Sequence, residues 1–293
     1  MPDPAPPDLA PLRAVIAQYG IDARRSLGQH FLLDPNLTGR IARTAGDLTR
    51  GTTIEIGPGP GGLTRALLAA GAERIVAIER DRRCVGALAD LAAAYPGRLT
   101  VVEADALAVD IVALAARDAA PAPLRIVANL PYNIATPLLI GWLDRATAFQ
   151  SLTLMFQKEV AQRLAARPAT KAYGRLSVLA QWRCEVACLF DIAPGAFLPP
   201  PAVTSTVVRL DPRTTPRAEA DPRLLEEIVA AAFGQRRKML RRSLAGLTGG
   251  AEALAASGID PTLRAEALDV DAFCALARAL ATIREERTAG RTA

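Results

Sequence analysis

Short apolar runs alternate with helix-like stretches along the first two thirds of the chain. Each run has five or six residues and is closed by a polar residue or a glycine, a pattern typical of buried strands. The predicted strands are Thr52–Ile56, Arg74–Glu79, Leu99–Glu103, Leu124–Ala128, 151–156 and 206–210. Strands that alternate with helices at this spacing predict an α/β fold with a doubly wound, mostly parallel sheet.

Beyond residue 211 the pattern predicts helices alone. Residues 211–221 are rich in proline and poor in apolar side chains, which favours a linker. The helices predicted after it are 223–233, 236–245, 252–257, 261–267 and 271–284. We therefore expect a tail with a short helix at 1–23, an α/β domain at 24–211 and a small all-helical C-terminal domain at 212–293.

Composition excludes several classes of site. Hydrophobic residues make up 51% of the 293 residues, and no apolar run approaches the roughly 20 residues of a membrane span. With His30 as the only histidine and four scattered cysteines, a zinc site or a Ser-His-Asp triad has almost no material. We therefore expect no metal. Residues 1–8 lack the basic and apolar regions of a signal peptide, so we expect them to form a disordered tail and the protein to be cytoplasmic.

Positive charge is concentrated in two places. The net charge of +5 and the pI near 9.3 favour a polyanionic partner. A helix over 236–245 would carry most of its basic residues on one face suited to phosphate contacts, although an ordinary solvated face has the same pattern. The candidate contact residues are Arg236, Arg237, Lys238, Arg241 and Arg242 in this helix, and Lys171 and Arg175 in a polar loop.

A glycine-rich loop follows the first long strand. Gly57 and Gly59 allow a tight turn and a close approach of backbone N–H groups to a nucleoside-bearing ligand. The spacing also fits the G-x-G-x-x-G pattern of dinucleotide enzymes, so a nicotinamide or flavin ligand stays open. Pro58 and Pro60 weaken that alternative because each removes an N–H donor. Glu55, just before the loop, is not required by the dinucleotide pattern.

Polar side chains close the next three strands of the predicted sheet. Glu79 could accept hydrogen bonds from both ribose hydroxyls of a nucleoside, and Asp105 could accept one from an adenine amine. Asn129 follows the fourth strand. Singly, each could be a solvated strand end or a turn cap. Together they favour a ligand site, because the carboxyl ends of parallel strands meet at one edge of the sheet.

The segment from Asn129 to Tyr132 offers groups suited to an adenine amine. The side-chain oxygen of Asn129 and the backbone carbonyl of Leu130 could accept both amine hydrogens, and Pro131 holds Leu130 extended. Tyr132 could stack on a flipped base, and Phe197 could pack on its opposite face. A strand followed by a proline turn has the same pattern, and Phe197 could equally belong to the core. We predict these five residues as catalytic.

Together these motifs resemble the ribosomal RNA adenine N6-dimethyltransferase family, specifically its bacterial small-subunit members. The resemblance runs from about Arg24 to Arg284 and rests on 26–32, 55–59, 129–132, 157–160, 173–178, Phe197 with its prolines, and 233–238. It implies a class I S-adenosylmethionine-dependent methyltransferase domain at 24–211 and an RNA-binding domain at 212–293. The residues that it implies at the cofactor are His30, Leu32, Gly57, Glu79, Asp105 and Asn129, to which the glycine loop adds Gly59.

The resemblance also implies a reaction and a substrate. Family members dimethylate N6 of two adjacent adenosines in the hairpin loop near the 3′ end of 16S rRNA, in an immature small subunit, with S-adenosylmethionine and no metal. We expect this chain to do the same as a monomer. Ala202, Thr204 and Arg242 depart from the usual family residues at positions near the expected RNA contacts.

Three alternatives stay open at this point. A large-subunit rRNA adenine methyltransferase of the antibiotic-resistance type would share the sheet and a similar Asn129 motif. A ribosome-assembly factor with a vestigial site would keep the RNA-binding residues without the activity. A dinucleotide oxidoreductase would bind a nicotinamide cofactor at the glycine loop.

Overall fold

The computed structural model of the protein describes residues 8–22 and 28–292. Arg24, Arg25, Ser26 and Leu27, where the resemblance begins, lie outside the described residues. The chain forms two compact units, Met1–Ala161 with Ala187–Asp211 and Gln162–Val186 with Pro212–Ala293. Residues 162–186, which the predicted boundary assigned to the first domain, thus belong to the second unit, where helix residues 175–183 pack on the C-terminal helices.

The strands form one large and one small sheet. Their bounds are β1 (Phe31–Leu32), β2 (Thr52–Ile56), β3 (Arg74–Glu79), β4 (Leu99–Glu103), β5 (Leu124–Ala128), β6 (Ser151–Gln157), β7 (Cys184–Ile192), β8 (Phe197–Leu198) and β9 (Ser205–Pro212). The large sheet has the order β4-β3-β2-β5-β6-β9-β7, and β1 pairs with β8 separately. From β4 to β6 all pairs are parallel, whereas β9 runs antiparallel to β6. The predicted doubly wound, mostly parallel sheet is confirmed.

The strand order places a ligand-binding edge between β2 and β5. From β2 the chain builds outward through β3 and β4, then returns to place β5 on the other side of β2. Such a switch leaves a crevice outside the carboxyl ends of the two central strands. All five residues of β2 are buried, as expected for a parallel strand covered on both faces.

Helices flank this sheet and make up most of the second unit. Their bounds are α1 (Leu12–Gln18), α2 (Pro35–Thr44), α3 (Gly62–Ala69), α4 (Arg82–Ala94), α5 (Ile111–Arg117), α6 (Tyr132–Leu143), α7 (Lys158–Leu164), α8 (Arg175–Arg183), α9 (Pro222–Gly234), α10 (Leu240–Ser243), α11 (Gly250–Ala256) and α12 (Val270–Thr292). Within the described ranges, no helix combines the length and apolarity needed to cross a membrane.

The predicted basic helix over 236–245 is wrong. Residues 235–238 form a turn, and only the four residues of α10 are helical. The reason is a competing backbone pairing: Met239 bridges Arg264, and the N–H of Leu240 donates to the carbonyl of Leu263 at 2.7 Å. The predicted helix over 261–267 is likewise reduced to a 3-10 turn at Ala265–Ala267.

The predicted linker is held by the second unit. The N–H of Arg217 donates to the carbonyl of Trp182 at 2.9 Å, and its guanidinium pairs with Asp271 at 3.1 Å. The guanidinium of Arg278 donates to the carbonyl of Glu219 at 2.6 Å. The segment has few apolar residues because hydrogen bonds and an ion pair, rather than apolar packing, hold it to the second unit.

Candidate active site

A cleft lies at the carboxyl ends of β2, β3 and β5, where the strand order changes direction. Most of the predicted catalytic and cofactor-binding residues line it: His30, Leu32, Gly57, Gly59, Glu79, Asn129, Leu130, Pro131 and Tyr132. Glu55 and Arg80 line it as well, although the sequence did not predict them as site residues. Asp105 and Phe197 are not among the described residues that line this cleft.

The glycine loop needs its glycines for two reasons. Gly57 and Gly59 have φ angles of 63° and 57°, in the left-handed region that favours glycine. A Cβ atom on Gly59 would also lie 2.8 Å from Cε1 of Phe31, and one on Gly62 would lie 2.5 Å from the carbonyl oxygen of Leu32. The loop is therefore packed against residues 31–32, with no room for a side chain at Gly59 or Gly62.

Glu79 fixes this loop from the end of β3. Its Oε2 accepts the N–H of Gly59 at 3.0 Å, and its Oε1 accepts those of Arg80 and Asp81 at 2.8 and 2.9 Å. Burial raises the pKa of Glu79, and these three hydrogen bonds oppose the rise. Each carboxylate oxygen has two lone pairs, so Oε2 can still accept a hydrogen bond from a ligand in the cleft.

Asn129 is oriented by the segment that precedes β1. Its Nδ2 donates to the backbone carbonyl of His30 at 2.8 Å, and because a carbonyl only accepts, the amide nitrogen must face it. Among the described residues, no group hydrogen-bonds Asn129 Oδ1 or the carbonyl oxygen of Leu130. The site therefore presents two acceptors at the end of β5.

The His30 ring lies beside Tyr132. Its Nδ1 is 2.8 Å from the carbonyl oxygen of Pro199, so Nδ1 carries a hydrogen and donates it. The ring stacks on Tyr132 with centroids 5.5 Å apart, and its edge meets Phe197 at 6.4 Å. The hydroxyl of Tyr132 shares a hydrogen bond with Ser205, which anchors the far end of that ring.

Phe197 is placed differently from the predicted base-stacking role. Its side chain is 4% exposed and packs in the apolar core around α3 and β3. The ring next to Tyr132 is that of His30. Phe197 therefore packs against the edge of the His30 ring as a core residue, which was the alternative that the sequence left open.

Asp105 does not line the cleft itself, but it pairs with Arg80, which does. Its Oδ1 accepts the N–H of Leu107 at 3.0 Å as the cap of a short 3-10 turn, and its Oδ2 pairs with Arg80 at 3.2 Å. The side chain is about two-fifths exposed, so it remains open to solvent. This arrangement corresponds to the turn-cap alternative, and any contact with an adenine amine requires the ligand to reach beyond the cleft.

Glu55 lines the cleft, although no sequence motif predicted a role for it. It is the next-to-last residue of buried β2, and its side chain is 1% exposed. Burial raises its pKa to about 8, repulsion from Glu79 adds to the rise, and the Thr64 hydroxyl moderates it. Among the described residues, neither Glu55 Oε2 nor Thr64 Oγ1 reaches hydrogen-bonding geometry with any group. An acidic residue inside a β-branched run was the available signal.

The predicted phosphate-contacting residues lie in the second unit and divide into two groups. The exposed group makes no ion pair within the described chain and consists of Lys171, Arg237, Lys238, Arg241 and Arg242. Arg175, in contrast, pairs with Glu226. Arg236 pairs with Glu266 at 3.1 Å and donates to the carbonyls of Thr170 and Lys171 at 3.3 and 2.7 Å. Arg236 therefore holds the 167–175 loop.

Comparison with known proteins identifies the family. A model of the family described as ribosomal RNA adenine dimethylase matches residues 20–282. The ribosomal RNA small subunit methyltransferase A of Rhodospirillum rubrum is 65% identical over 273 residues, covering 93% of this chain and 93% of that protein. The protein of the same name from Paramagnetospirillum magneticum is 63% identical over 273 residues, covering 93% and 95%.

Solved structures show the same fold. A dimethyladenosine transferase from Plasmodium falciparum has a TM-score of 0.73 at 24% identity, covering 84% of this chain and 96% of that one. The 23S rRNA methyltransferase ErmE has a TM-score of 0.63 at 25% identity, covering 86% and 99%. With the family model matched from residue 20 to residue 282, this chain belongs to the ribosomal RNA adenine dimethylase family.

Proposed function

We propose that the protein dimethylates N6 of two adjacent adenosines in the 3′-terminal hairpin loop of 16S rRNA, using S-adenosylmethionine. It acts in the cytoplasm, as a monomer, on an immature small subunit. The observation that carries the proposal is the pair of open acceptors, Asn129 Oδ1 and the Leu130 carbonyl, beside a cleft shaped by glycines. The high identity with small-subunit methyltransferases supports the choice of subunit.

The cleft fits the cofactor that the family uses. Gly57 and Gly59 let the backbone approach a nucleoside, and Glu79 keeps an acceptor lone pair for a ribose hydroxyl. The Oε2 atom of the buried Glu55 has no hydrogen-bond partner among the described residues. When bound, S-adenosylmethionine supplies an activated methyl group. The residues that would hold it are His30, Leu32, Glu55, Gly57, Gly59, Glu79 and Asn129. Asp105, which pairs with Arg80 at the border of the cleft, would contact a cofactor that extends past Arg80.

The chain's own contribution to the reaction is positioning. The lone pair of an adenine amine is delocalised into the ring, so the amine must be turned to present it to the methyl donor. In the first transfer Asn129 Oδ1 and the Leu130 carbonyl accept the two amine hydrogens, and in the second transfer one of these acceptors binds the single N–H that remains. The nitrogen loses one proton to solvent for each methyl group that it gains, and the Tyr132 ring supports the base. Their fixed arrangement contributes to the rate by positioning the amine for attack on the methyl group.

The test is methylation of isolated subunits. Immature small subunits, large subunits and protein-free rRNAs are incubated with the protein and isotope-labelled S-adenosylmethionine, and the digested rRNA is analysed by mass spectrometry. We expect four methyl groups on two adjacent adenosines, in small subunits only. Label confined to large-subunit rRNA would assign the antibiotic-resistance type of activity, and cofactor binding without methylation would indicate a vestigial site.

Replacing Glu79 tests the cofactor site. Glu79→Gln is expected to raise the dissociation constant for S-adenosylmethionine about 10- to 100-fold, because an amide nitrogen would face the N–H donors that the carboxylate accepts. Isothermal titration calorimetry measures the change. Glu103→Gln is the matched control, since Glu103 pairs in register with Glu79 at the end of β4 but is exposed beside Arg82. Equal affinities in both variants would contradict the role of Glu79.

The exposed basic group of the second unit is our proposed rRNA surface. Arg237→Ala with Lys238→Ala is expected to weaken binding to immature subunits and to reduce the slope of log affinity against log salt by about 1 per lost phosphate contact. Binding is measured by filter retention between low and moderate salt. Arg223→Ala, another exposed arginine of the same unit, is the control. An unchanged slope in the double variant would place the RNA elsewhere.

A further inference from the structure

The buried carboxyl of Glu55 has no structural explanation in the protein alone. It lines the cleft near the carboxyl end of β2, it is 1% exposed, and its Oε2 has no hydrogen-bond partner in the described part of the chain. A buried polar atom that makes no hydrogen bond costs stability and calls for an explanation, and for an atom that lines a cleft a bound ligand supplies one. Glu55 is therefore expected to interact with what enters the cleft.

The groups that face Glu55 leave its negative charge uncompensated. Glu79 on β3 carries a like charge, and Thr64 on α3 offers only a hydroxyl. Asn129 and Tyr132 line the same cleft from the β5 side, and Arg80, which also lines it, is paired with Asp105. With burial, this setting raises the pKa of Glu55 to about 8, so the neutral acid is the main form at pH 7.

We propose that Glu55 is a cofactor-binding residue that is protonated in the free protein and ionises against a cationic group of the cofactor, releasing its proton to solvent. The proposal rests on the proposed function, because S-adenosylmethionine carries two such cations, the sulfonium and the α-ammonium. An opposite charge within about 4–6 Å lowers the pKa of a carboxyl by about 1 to 3. One O–H bond of Glu55 breaks, and the buffer takes up the proton.

The sign of the pH dependence follows from this exchange. Binding that releases a proton is favoured as pH rises, by up to about tenfold in affinity per pH unit. The increase continues until the free carboxyl is itself ionised, near pH 8. We therefore expect affinity for S-adenosylmethionine to rise from pH 6.5 to about 8 and then to level off.

Calorimetry in several buffers measures the proton directly. S-adenosylmethionine is titrated into the protein at pH 7 in phosphate, MOPS and Tris, whose ionisation enthalpies differ, so the slope of the observed heat gives the number of protons released. We expect about 0.5 to 1 proton for the native protein and close to zero for Glu55→Gln, which keeps the shape of the neutral acid. Glu103→Gln, an exposed carboxylate removed from the cleft, is expected to release as many protons as the native protein.

Two further results make the test decisive. S-adenosylhomocysteine lacks the sulfonium but keeps the ammonium, so proton release with both ligands assigns the ammonium as the partner of Glu55, and release with S-adenosylmethionine alone assigns the sulfonium. Binding heat that is independent of buffer, or release that persists in Glu55→Gln, overturns the proposal. If that variant does not fold, a pH-independent affinity of the native protein overturns it. Absence of any binding contradicts the cofactor site itself.

Discussion

Asn129→Ala is expected to lower the rate of methyl transfer by about 10³-fold, a loss comparable with removal of one preorganised hydrogen-bonding group from an active site. Asn129 Nδ2 is held by the His30 carbonyl at 2.8 Å, so its Oδ1 is fixed in direction before substrate arrives. Alanine removes this acceptor and leaves the target amine free to rotate. The effect is on orientation, so affinity for S-adenosylmethionine should fall much less than the rate.

Single-turnover methylation of immature small subunits, with calorimetry of cofactor binding, separates the two effects. Asn133→Ala is the matched control, because Asn133 is an exposed asparagine in the first turn of α6, four positions further along the chain. We expect Asn133→Ala to keep a rate within about threefold of the native protein. A parental rate for Asn129→Ala, or an equal loss in both variants, would contradict the role given to Asn129.

Gly51→Ala is expected to cause a large loss of stability. Gly51 has a φ angle of 85°, and a Cβ atom there would lie 2.3 Å from the carbonyl oxygen of Pro123 and 2.6 Å from its nitrogen. The left-handed conformation costs a side chain roughly 1–2 kcal/mol, and the backbone contact adds to this. A total of about 3 kcal/mol corresponds to a drop in Tm of about 6–12 °C for a domain of this size.

Differential scanning calorimetry measures this change, and Gly97→Ala is its control. Gly97 also has a left-handed φ, of 78°, but a Cβ atom there would meet no heavy atom of the described residues within 4 Å. At Gly97 we expect only the conformational cost of about 1–2 kcal/mol, which corresponds to a drop in Tm of a few degrees. Equal drops in Tm for the two variants would show that the contact with Pro123 does not matter.

The segments that line the candidate site were predictable because they are local. Apolar runs defined the strands of the parallel sheet nearly to the residue, and the residue after each strand is fixed in place once the strand is known. Glu79 and Asn129 therefore fell at one edge of the sheet without any knowledge of side-chain contacts. Two regions whose predicted helices are wrong, 236–245 and 261–267, pair with each other through Met239 and Arg264. A pairing between segments so far apart leaves no periodic signal.

The sequence by itself determined the sheet, its ligand edge and the acceptor motif at Asn129, since these depend on the order of apolar and polar residues along single segments. Only the tertiary structure decided which candidates lie in the cleft, because that depends on how segments approach. It placed Phe197 behind His30, kept Asp105 outside the cleft beside Arg80 and engaged Arg236 with the 167–175 loop. It also buried Glu55 within electrostatic range of Glu79, which requires β2 and β3 to be adjacent.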